Sequence, residues 1–382
     1  MTLSAETERA KRTKLSALSL FSGAGGMDIG LRKAGFKVIA ALEIDQHCCE
    51  TLRSAALRDQ SQTVVYETDI RKVDPAKLGA ELKVAPTELD LLFGGPPCQP
   101  FSLAGKQKGL NDSRGPLLFE IIRFAEYFKP KVILLEQVKG LLGAKDINGK
   151  KGGVFERFIA ELTSVGYTPK WRLCLAADYG LPQLRERVFV VATRGVNGFD
   201  FPVPTHAPRA KEPNLFGLAP YMTVGEAIAG LGKPTPKVKG ATFFDRGDSH
   251  VDVTPPRDRE RIAQVPEGSY LAAQTHLNSD LRGDLRPKDT TKYLRLDRGK
   301  PSNTLRCGEI FFHPTEDRYL TPREYMRLHG YSDDYILCGP IRSRTGTVKN
   351  LDQHRQVANS VPPPLALAIG KEIRRYLRER NM

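Results

Sequence analysis

Short apolar runs alternate with longer amphipathic segments over the first half of the chain. The segments between the runs, such as residues 115–128 and 154–165, are predicted to be helices. This alternation is typical of an α/β fold with a largely parallel sheet covered by helices on both faces. The runs that read as strands are LSALSLF (15–21), KVIAALE (37–43), TVVYETD (63–69), DLLFGG (90–95), KVILLEQV (131–138) and RVFVVATR (187–194).

The character of the chain changes after residue 194. Residues 199–301 are rich in Pro, Gly and charged residues, in stretches such as FPVPTHAPRAKEP and TPPRDRERIAQVPEGS, and show little sustained periodicity. Such composition is typical of surface loops. We therefore predict a second, irregular domain in this part of the chain.

Regular structure is predicted to resume near residue 319. In TPREYMRLHGY, Thr321, Pro322 and Glu324 have the spacing of a capping box with proline at the first helical position, and Gly330 ends the helix. A final helix is predicted over 364–380, and its apolar face must dock on the first domain. That face comprises Leu365, Ala368, Ile369, Ile373, Tyr376 and Leu377.

Composition and charge narrow the class of protein. The 382 residues are 40% hydrophobic and 27% charged. No apolar run approaches the roughly 18 residues of a membrane span, and the N-terminal stretch lacks the apolar core of a secretory signal. We therefore expect a cytoplasmic protein without membrane contact. The net charge of +14, spread along the chain, indicates a polyanionic partner held in a groove.

One of the six cysteines stands apart from the others. No C-x-x-C pair or zinc-like Cys/His cluster occurs, so we expect reduced thiols, no disulfide and no metal. Cys48, Cys49 and Cys174 lie in helical or strand-like runs and are expected to be buried as small hydrophobic residues. In LLFGGPPCQPFS, Cys98 instead follows a strand and a rigid Gly-Gly-Pro-Pro turn. A thiol with a lowered pKa at such a point suits attack on an electrophilic carbon.

A glycine turn and acids at two strand ends form a candidate nucleoside pocket. The stretch LFSGAGGMDIGL joins a strand to a helix, Glu43 ends the next strand, and Asp69 ends the one after it. An acid at such a strand end can hold ribose hydroxyls. The G-x-G-G spacing differs from the G-x-G-x-x-G of dinucleotide folds, so S-adenosylmethionine, which has no pyrophosphate, fits better than NAD.

Charged residues at other strand ends are candidate partners of the cysteine. Glu136 lies in LLEQV, and Arg185 and Arg187 lie in QLRER. A buried carboxylic acid can stay protonated and donate to a ring nitrogen. Nearby arginines would stabilise negative charge on a carbonyl oxygen.

Taken together, the motifs resemble those of a known family. F-S-G-x-G-G, G-G-P-P-C-Q-P-F-S, E-x-V, Q-x-R-x-R and N-S-V occur in the order found in bacterial-type DNA (cytosine-5)-methyltransferases, over residues 18–370 apart from the irregular region. The resemblance implies the Rossmann-like fold of S-adenosylmethionine-dependent methyltransferases, with a mixed, mostly parallel sheet. It also implies a basic N-terminal extension (1–14), a catalytic and cofactor-binding domain (15–198), a smaller irregular target-recognition domain (199–312) and a C-terminal segment that returns to the catalytic domain (313–382).

The resemblance assigns a role to each catalytic residue. Cys98 would attack C6 of a cytosine, while Glu136 would contact N3 and the exocyclic amine. Arg187 would hold the base carbonyl and Arg185 the neighbouring catalytic loop. C5 would take the methyl group of S-adenosylmethionine, with S-adenosylhomocysteine as product, and lose its proton before the thiolate leaves.

Other positions are implied to bind the cofactor and double-stranded DNA, whose target cytosine must leave the stack to react. The cofactor residues are Phe21, Gly23, Gly25, Gly26, Glu43, Ile44, Asp69, Ile70, Asn359 and Val361. The DNA-binding residues are Gln99, Ser102, Lys106 and Arg114. Side chains able to read base edges in the irregular region include Arg257, Arg259, Arg282 and Arg295.

Two positions depart from the family pattern. Gln137 stands where most members have asparagine, in Glu-Gln-Val, and Ala104 stands where serine is frequent. The longer amide of Gln137 is expected to alter the loop beside the pocket. One DNA contact is in doubt at Ala104.

Three other functions compete with DNA methylation as interpretations of these motifs. A tRNA cytosine-5 methyltransferase on the same fold is the principal alternative, although that branch has a short recognition region and a C-F-T block. A nicotinamide-dependent dehydrogenase leaves the cysteine block unexplained, and a non-catalytic DNA-binding protein leaves the retained catalytic set unexplained. We expect a monomer that belongs to a restriction-modification system and shares its DNA site with a restriction endonuclease.

Overall fold

A computed structural model of the protein describes residues 15–97, 115–195, 198–209, 217–236, 249–283, 285, 286, 289, 292–342 and 350–380. Within these ranges no helix is both long enough and apolar enough to cross a membrane.

The main sheet has seven strands in the order β3-β2-β1-β4-β5-β8-β6. The first five strands in this order are mutually parallel, whereas β8 runs antiparallel to both β5 and β6. A mixed, mostly parallel sheet is therefore confirmed. The strands are β1 (Leu15–Leu20), β2 (Phe36–Glu43), β3 (Val64–Glu67), β4 (Leu91–Gly94), β5 (Val132–Val138), β6 (Tyr167–Leu175) and β8 (Glu186–Arg194), and the short β7 (Gln183–Leu184) lies outside this sheet.

Six of the seven main strands lie where the apolar runs predict them, and β6 is the exception. This strand reads YTPKWRLCL and occupies one edge of the sheet, where Trp171 and Arg172 are exposed. An edge strand tolerates proline and charged residues that an inner strand does not. Its apolar signal is consequently too weak to be recognised from the pattern.

Helices cover both faces of the sheet. Between β1 and β6 they are α1 (Gly26–Lys33), α2 (Gln46–Arg58), α3 (Pro75–Leu82), α4 (Glu120–Phe128) and α5 (Gly153–Ser164). The segment predicted as a helix over 115–128 begins as a 3-10 turn, Gly115–Phe119, before α4. Two apolar cores result, one on each face.

The C-terminal part of the chain returns to the first half, as expected. Helix α11 (Pro363–Glu379) packs against α1, burying Leu365, Ile369, Ile373, Tyr376 and Leu377. The helices approach closely because each carries a glycine at the crossing. A Cβ on Gly30 would lie 2.6 Å from Ala366 Cβ, and a Cβ on Gly370 would lie 2.9 Å from Ala34 Cβ.

The predicted capping box is present at α9 (Pro322–Leu328). The Thr321 hydroxyl accepts from the Glu324 amide, while the Glu324 carboxylate accepts from the Thr321 amide. Gly330 follows the helix with a left-handed φ of 81°. Glycine adopts this conformation without strain, so it can end the helix where the sequence predicts.

Residues 199–312 contain only short elements within the described ranges. They are β9 (His206–Ala207), β10 (Ala219–Pro220), α6 (Val224–Ile228), β11 (Thr235–Pro236), β12 (Val251–Asp252), α7 (Pro256–Ala263), a 3-10 helix (Leu271–Ala273), α8 (Ser279–Arg282) and β13 (Ser302–Asn303). A third core joins apolar residues of this region to residues 319–337 and to α10 (Gln353–Asn359). Because that core extends across residue 312, the domain division there stays a prediction.

The hypothesis that Arg295 reads base edges is wrong. Its side chain is buried, and its guanidinium donates to the carbonyls of Pro314, Ile262 and Val265 at 2.9–3.0 Å. Those bonds, together with a 3.1 Å ion pair to Asp317, make Arg295 part of the fold.

Candidate active site

The parallel strands β1, β2, β4 and β5 all end on the same side of the sheet, which we call its carboxyl edge. The order of the strands changes direction between β1 and β4, because β2 and β3 follow on one side of β1 while β4 and β5 lie on the other. Ligands of open α/β sheets bind at such a reversal. Most of the predicted site residues that the structure describes lie at or next to this edge.

Backbone amides hold the Glu43 carboxylate in place at the end of β2. One carboxylate oxygen accepts from the Gly23 amide at 2.7 Å, and the other accepts from Ile44 and Asp45 at 2.8 and 2.9 Å. Burial raises the pKa of Glu43, and these three amides oppose the rise. The carboxylate thus links the glycine turn to the end of the next strand and keeps further lone pairs for a ligand.

The turn after β1 depends on backbone shapes and spaces that side chains would disturb. Phe21, Gly23 and Gly25 have φ values of 54°, 53° and 75°. A Cβ on Gly26 would collide with the Val361 carbonyl and lie 3.2 Å from Ser360 Cβ. The glycine turn therefore packs directly beneath the C-terminal segment.

The residues predicted to surround adenine differ in accessibility. Ile44 is 64% exposed, whereas Ile70 is buried. Asp69 caps the 3-10 helix Ile70–Lys72 and forms an ion pair with Arg71 at 2.5 Å. Hydrogen bonding to Arg71 lowers the pKa of Asp69, so this acid is held in its charged form.

Glu136 and Arg187 form a buried pair on neighbouring strands. Arg187 Nε lies 2.8 Å from Glu136 Oε1, and about nine-tenths of each side chain is buried. Burial raises the pKa of Glu136, against the opposing effects of Arg187 and Arg185. The effect of burial is the larger, so the pKa of Glu136 lies above the usual value of a glutamate.

Gly95 connects this pair to the glycine turn. A Cβ there would lie 3.3 Å from Glu136 Oε2 and 3.9 Å from both Met27 Cε and Val361 Cγ2. Because Gly95 has no side chain, it leaves the space between the Glu136 carboxylate, Met27 and Val361 unfilled by a Cβ. Glu136, predicted to bind the base, and Val361, predicted to bind the cofactor, therefore both lie next to Gly95.

Arg185 holds the C-terminal segment. The side chain is buried, and its Nη2 donates to the carbonyls of Ala358 and Ser360 at 3.0 and 3.1 Å. Asn359, between them, is exposed and lies 2.6 Å from the Cys307 thiol through its amide oxygen. Arg185, predicted to be catalytic, is thus bonded directly to the predicted cofactor segment.

Gln137 explains how this chain accommodates a departure from the family pattern. Its side chain is buried; Nε2 donates to the Pro96 carbonyl at 2.9 Å, and Oε1 accepts from the Val138 amide at 2.8 Å. The longer amide therefore holds the proline turn that precedes the cysteine block.

Several predicted residues lie outside the described residues, and their roles stay predictions. They are Cys98, Gln99, Ser102, Lys106 and Arg114, together with the departure at Ala104. Three other cysteines, Cys48, Cys49 and Cys174, are buried as predicted. Burial raises the pKa of Cys49 to about 12 and that of Cys174 to about 11, which leaves both thiols unreactive.

Sequence reasoning missed two buried residues beside the site. Gln183 is the first residue of Q-x-R-x-R and His329 ends the RLH stretch, and both side chains are fully buried. The motif contained a signal for Gln183, whereas nothing in the pattern distinguished His329 from an ordinary helix-end residue. Within the described ranges no cluster of three or more His, Cys, Asp or Glu side chains is arranged to hold a metal ion.

Known proteins with similar sequences share one reaction class. A family model described as C-5 cytosine-specific DNA methylase matches residues 15–375. Type II methyltransferase M.Eco47II of Escherichia coli is 33% identical over 378 residues, which span 94% of this chain and 78% of that protein. Type II methyltransferase M.AquIA of Picosynechococcus is 43% identical over 231 residues, or 57% of this chain and 90% of that protein.

Solved structures show the same fold. A crystal structure described as that of a prophage-encoded DNA modification methyltransferase of E. coli matches with a TM-score of 0.68 and 22% identity, covering 96% of this chain and all of that chain. A DNMT2 mutant of Spodoptera frugiperda matches with a TM-score of 0.57 and 18% identity, covering 94% and 99%.

Proposed function

The chain belongs to the C-5 cytosine-specific DNA methylase family, and from this premise we propose that it methylates C5 of a flipped-out cytosine in double-stranded DNA through a covalent Cys98–C6 adduct. The observation that carries the proposal is the buried Glu136–Arg187 pair, which lies beside Gly95; Gly95 in turn lies close to Val361 and to Met27, the residue after the glycine turn. This proximity supports a base-binding position next to a cofactor position.

The residues at the turn fit S-adenosylmethionine. The Glu43 carboxylate, oriented by three amides, would accept from the ribose hydroxyls. Exposed Ile44 would cover the adenine, with Asp69 and Ile70 at its edge. The remaining proposed cofactor positions are Phe21, Gly23, Gly25, Gly26, Asn359 and Val361. When bound, S-adenosylmethionine supplies an activated methyl group on a sulfonium ion.

The protein side chains would activate the cytosine. The Cys98 thiolate adds to C6, and the electron pair of the C5–C6 double bond moves toward N3 and the carbonyl. Glu136, whose pKa is raised by burial, is suited to sharing a proton with N3. Arg187 would stabilise charge on the carbonyl oxygen. C5 thereby becomes nucleophilic, and after methyl transfer its proton is lost to a base and the thiolate leaves.

Arg185 would act by holding the C-terminal segment, through its bonds to Ala358 and Ser360. Gln99, Ser102, Lys106 and Arg114 are proposed to contact the flipped nucleotide and phosphates. Residues 199–312 are proposed as the target-recognition domain. The net charge of +14 favours such DNA contacts.

We also propose that the protein acts as a monomer in the cytoplasm, beside a restriction endonuclease that recognises the same site. The support for the endonuclease is that relatives more than 30% identical are named Type II methyltransferases. The likeness to DNMT2 is below 25% identity and concerns the fold alone, so it does not favour the tRNA alternative.

One experiment tests the proposal. Purified protein is incubated with labelled S-adenosylmethionine and either unmethylated plasmid or tRNA, and the plasmid is mapped by bisulfite sequencing. We expect 5-methylcytosine at one DNA sequence, and label in tRNA alone would contradict the proposal. Cys98→Ser is expected to abolish turnover and trapping on 5-fluorocytosine DNA while DNA binding remains.

A further inference from the structure

A chain of buried hydrogen bonds runs from the region proposed to recognise DNA to the segment proposed to close over the cofactor. It begins at Leu305, whose backbone amide donates to Gln183 Oε1 at 3.2 Å. Gln183 Nε2 lies 3.1 Å from His329 Nδ1, and His329 Nε2 lies 2.9 Å from the Ser360 carbonyl oxygen. All four residues are buried.

The bonds around Gln183 determine where the proton of His329 lies. Because Gln183 Oε1 accepts from Leu305, the NH₂ end of the amide faces the imidazole and must donate to Nδ1. The neutral ring consequently carries its proton on Nε2 and donates to the Ser360 carbonyl. Burial lowers the pKa of His329 well below its usual value, in agreement with this neutral form.

The Ser360 carbonyl receives donors from two directions. His329 Nε2 and Arg185 Nη2 approach it at 2.9 and 3.1 Å, so both lone pairs of the oxygen are used. The adjoining residue Val361 has its carbonyl against Gly26 in the cofactor turn. A shift of the Ser360 peptide would therefore also move Val361, which packs against the glycine turn of the proposed cofactor site.

The hydrogen bonds from Leu305 through Gln183 and His329 to Ser360, which we call the relay, also connect separate parts of the chain. Gln183 belongs to β7, which pairs with β13 in the region proposed to recognise DNA. Next to this pair, the Ser302 amide donates to the Pro182 carbonyl at 2.8 Å. His329 lies directly after α9. We infer that His329, oriented by Gln183, is a positioning residue that sets the affinity for S-adenosylmethionine by holding the Ser360 peptide. This inference rests on the proposed cofactor position.

Binding of S-adenosylhomocysteine to the full chain, measured by isothermal titration calorimetry, tests the inference without requiring activity. His329→Met keeps the volume but removes the acceptor and the donor. We expect it to weaken binding about tenfold, the effect of losing one buried hydrogen bond. His329→Gln offers an acceptor and a donor at similar separation and is expected to remain within about threefold of the unchanged chain.

The control is His250→Met. His250 is also buried, but its ring nitrogens face the Thr321 hydroxyl at 2.9 Å and the Gly232 carbonyl at 3.3 Å. We expect this variant to lower the melting temperature as His329→Met does, with unchanged affinity for S-adenosylhomocysteine. If His329→Met and His250→Met bind S-adenosylhomocysteine equally weakly, the cause is a general loss of stability, and the inference is overturned.

A double-mutant cycle tests whether Gln183 and His329 act as one relay. Gln183→Met is expected to weaken binding as His329→Met does, and the combined variant to weaken it no further. Additive losses of affinity would overturn the relay.

Should His329→Met not fold, Gln183→Met decides alone, since unchanged binding of S-adenosylhomocysteine would contradict the inference. Failure of the unchanged chain to bind S-adenosylhomocysteine would overturn the proposed function as well, whereas unchanged affinity in folded variants overturns only the role of His329.

Discussion

Arg187 Nε lies 2.8 Å from Glu136 Oε1, across the antiparallel pair β5 and β8. Burial alone would favour a neutral carboxylic acid, while the guanidinium favours the carboxylate. The pKa of Glu136 is raised overall, so burial has the larger effect. The pair thus brings a proton-sharing group and a fixed positive charge to one point.

Replacing Arg187 by methionine should remove the charge that opposes burial and raise the pKa of Glu136 further. We expect turnover on DNA to fall at least a hundredfold, in the range for loss of an electrostatic catalytic group. Binding of S-adenosylhomocysteine should change less than about threefold, because the cofactor turn is untouched. Arg194→Met, at the far end of β8, is the control. Comparable turnover in the two variants would contradict the assignment.

Glu43→Gln should impair cofactor binding although the side chain keeps its size. The amide would direct an NH₂ group at one of the backbone amides that Glu43 now accepts from, which leaves a partly buried donor such as the Gly23 amide unpaired. We expect a loss of about 1–3 kcal/mol in stability and about tenfold weaker binding of S-adenosylhomocysteine, measured by urea unfolding and calorimetry. Glu50→Gln, on the surface-facing part of α2, should change neither quantity.

Gln137→Leu should loosen the turn that carries the cysteine block. The Pro96 carbonyl would lose its 2.9 Å donor from Gln137, at a cost of about 1–3 kcal/mol. We expect slower trapping on 5-fluorocytosine DNA, with cofactor affinity unchanged. Gln137→Asn restores the residue of the family pattern and should retain most of the trapping rate. If the leucine variant traps as fast as the unchanged chain, this contact does not position Cys98.

Gly26→Ala should weaken binding of S-adenosylhomocysteine by at least about tenfold. The new methyl group would collide with the Val361 carbonyl and press on Ser360, so the C-terminal segment must shift. Gly308→Ala is the matched control, because among the described residues no heavy atom lies within 4 Å of its Cβ position. Equal affinities in the two variants would show that close packing at Gly26 is not required.

The buried His329 should make stability depend on pH. Burial holds its pKa in the folded state well below 6.5, so below about pH 6.5 the unfolded chain binds a proton that the folded chain does not. Relative to His329→Gln, the unchanged chain should lose up to about 1.4 kcal/mol of stability per pH unit. Urea unfolding at pH 7.5 and 5.5 measures the difference. The other buried histidines are common to both proteins, and parallel pH dependence would mean that His329 is protonated when folded.

Local patterns in the sequence were sufficient for much of the fold. The apolar runs located six main strands, because periodicity and turn residues are properties of neighbouring positions. The Thr321–Glu324 capping box was equally local, since three residues separate its partners. The order of the motifs identified the family and its reaction class.

Only the tertiary structure decided which distant side chains meet. The edge strand β6 carries Lys170 and Arg172, whose polarity hides its strand character until the sheet is seen to end there. Gln137 reaches Pro96 across 41 positions, and Arg185 reaches Ser360 across 175. Such contacts depend on how burial brings remote segments together, which a local pattern does not contain. The sequence by itself thus determined the reaction class and the chemical groups, while packing decided how Glu136, Arg187 and the C-terminal segment are held for it.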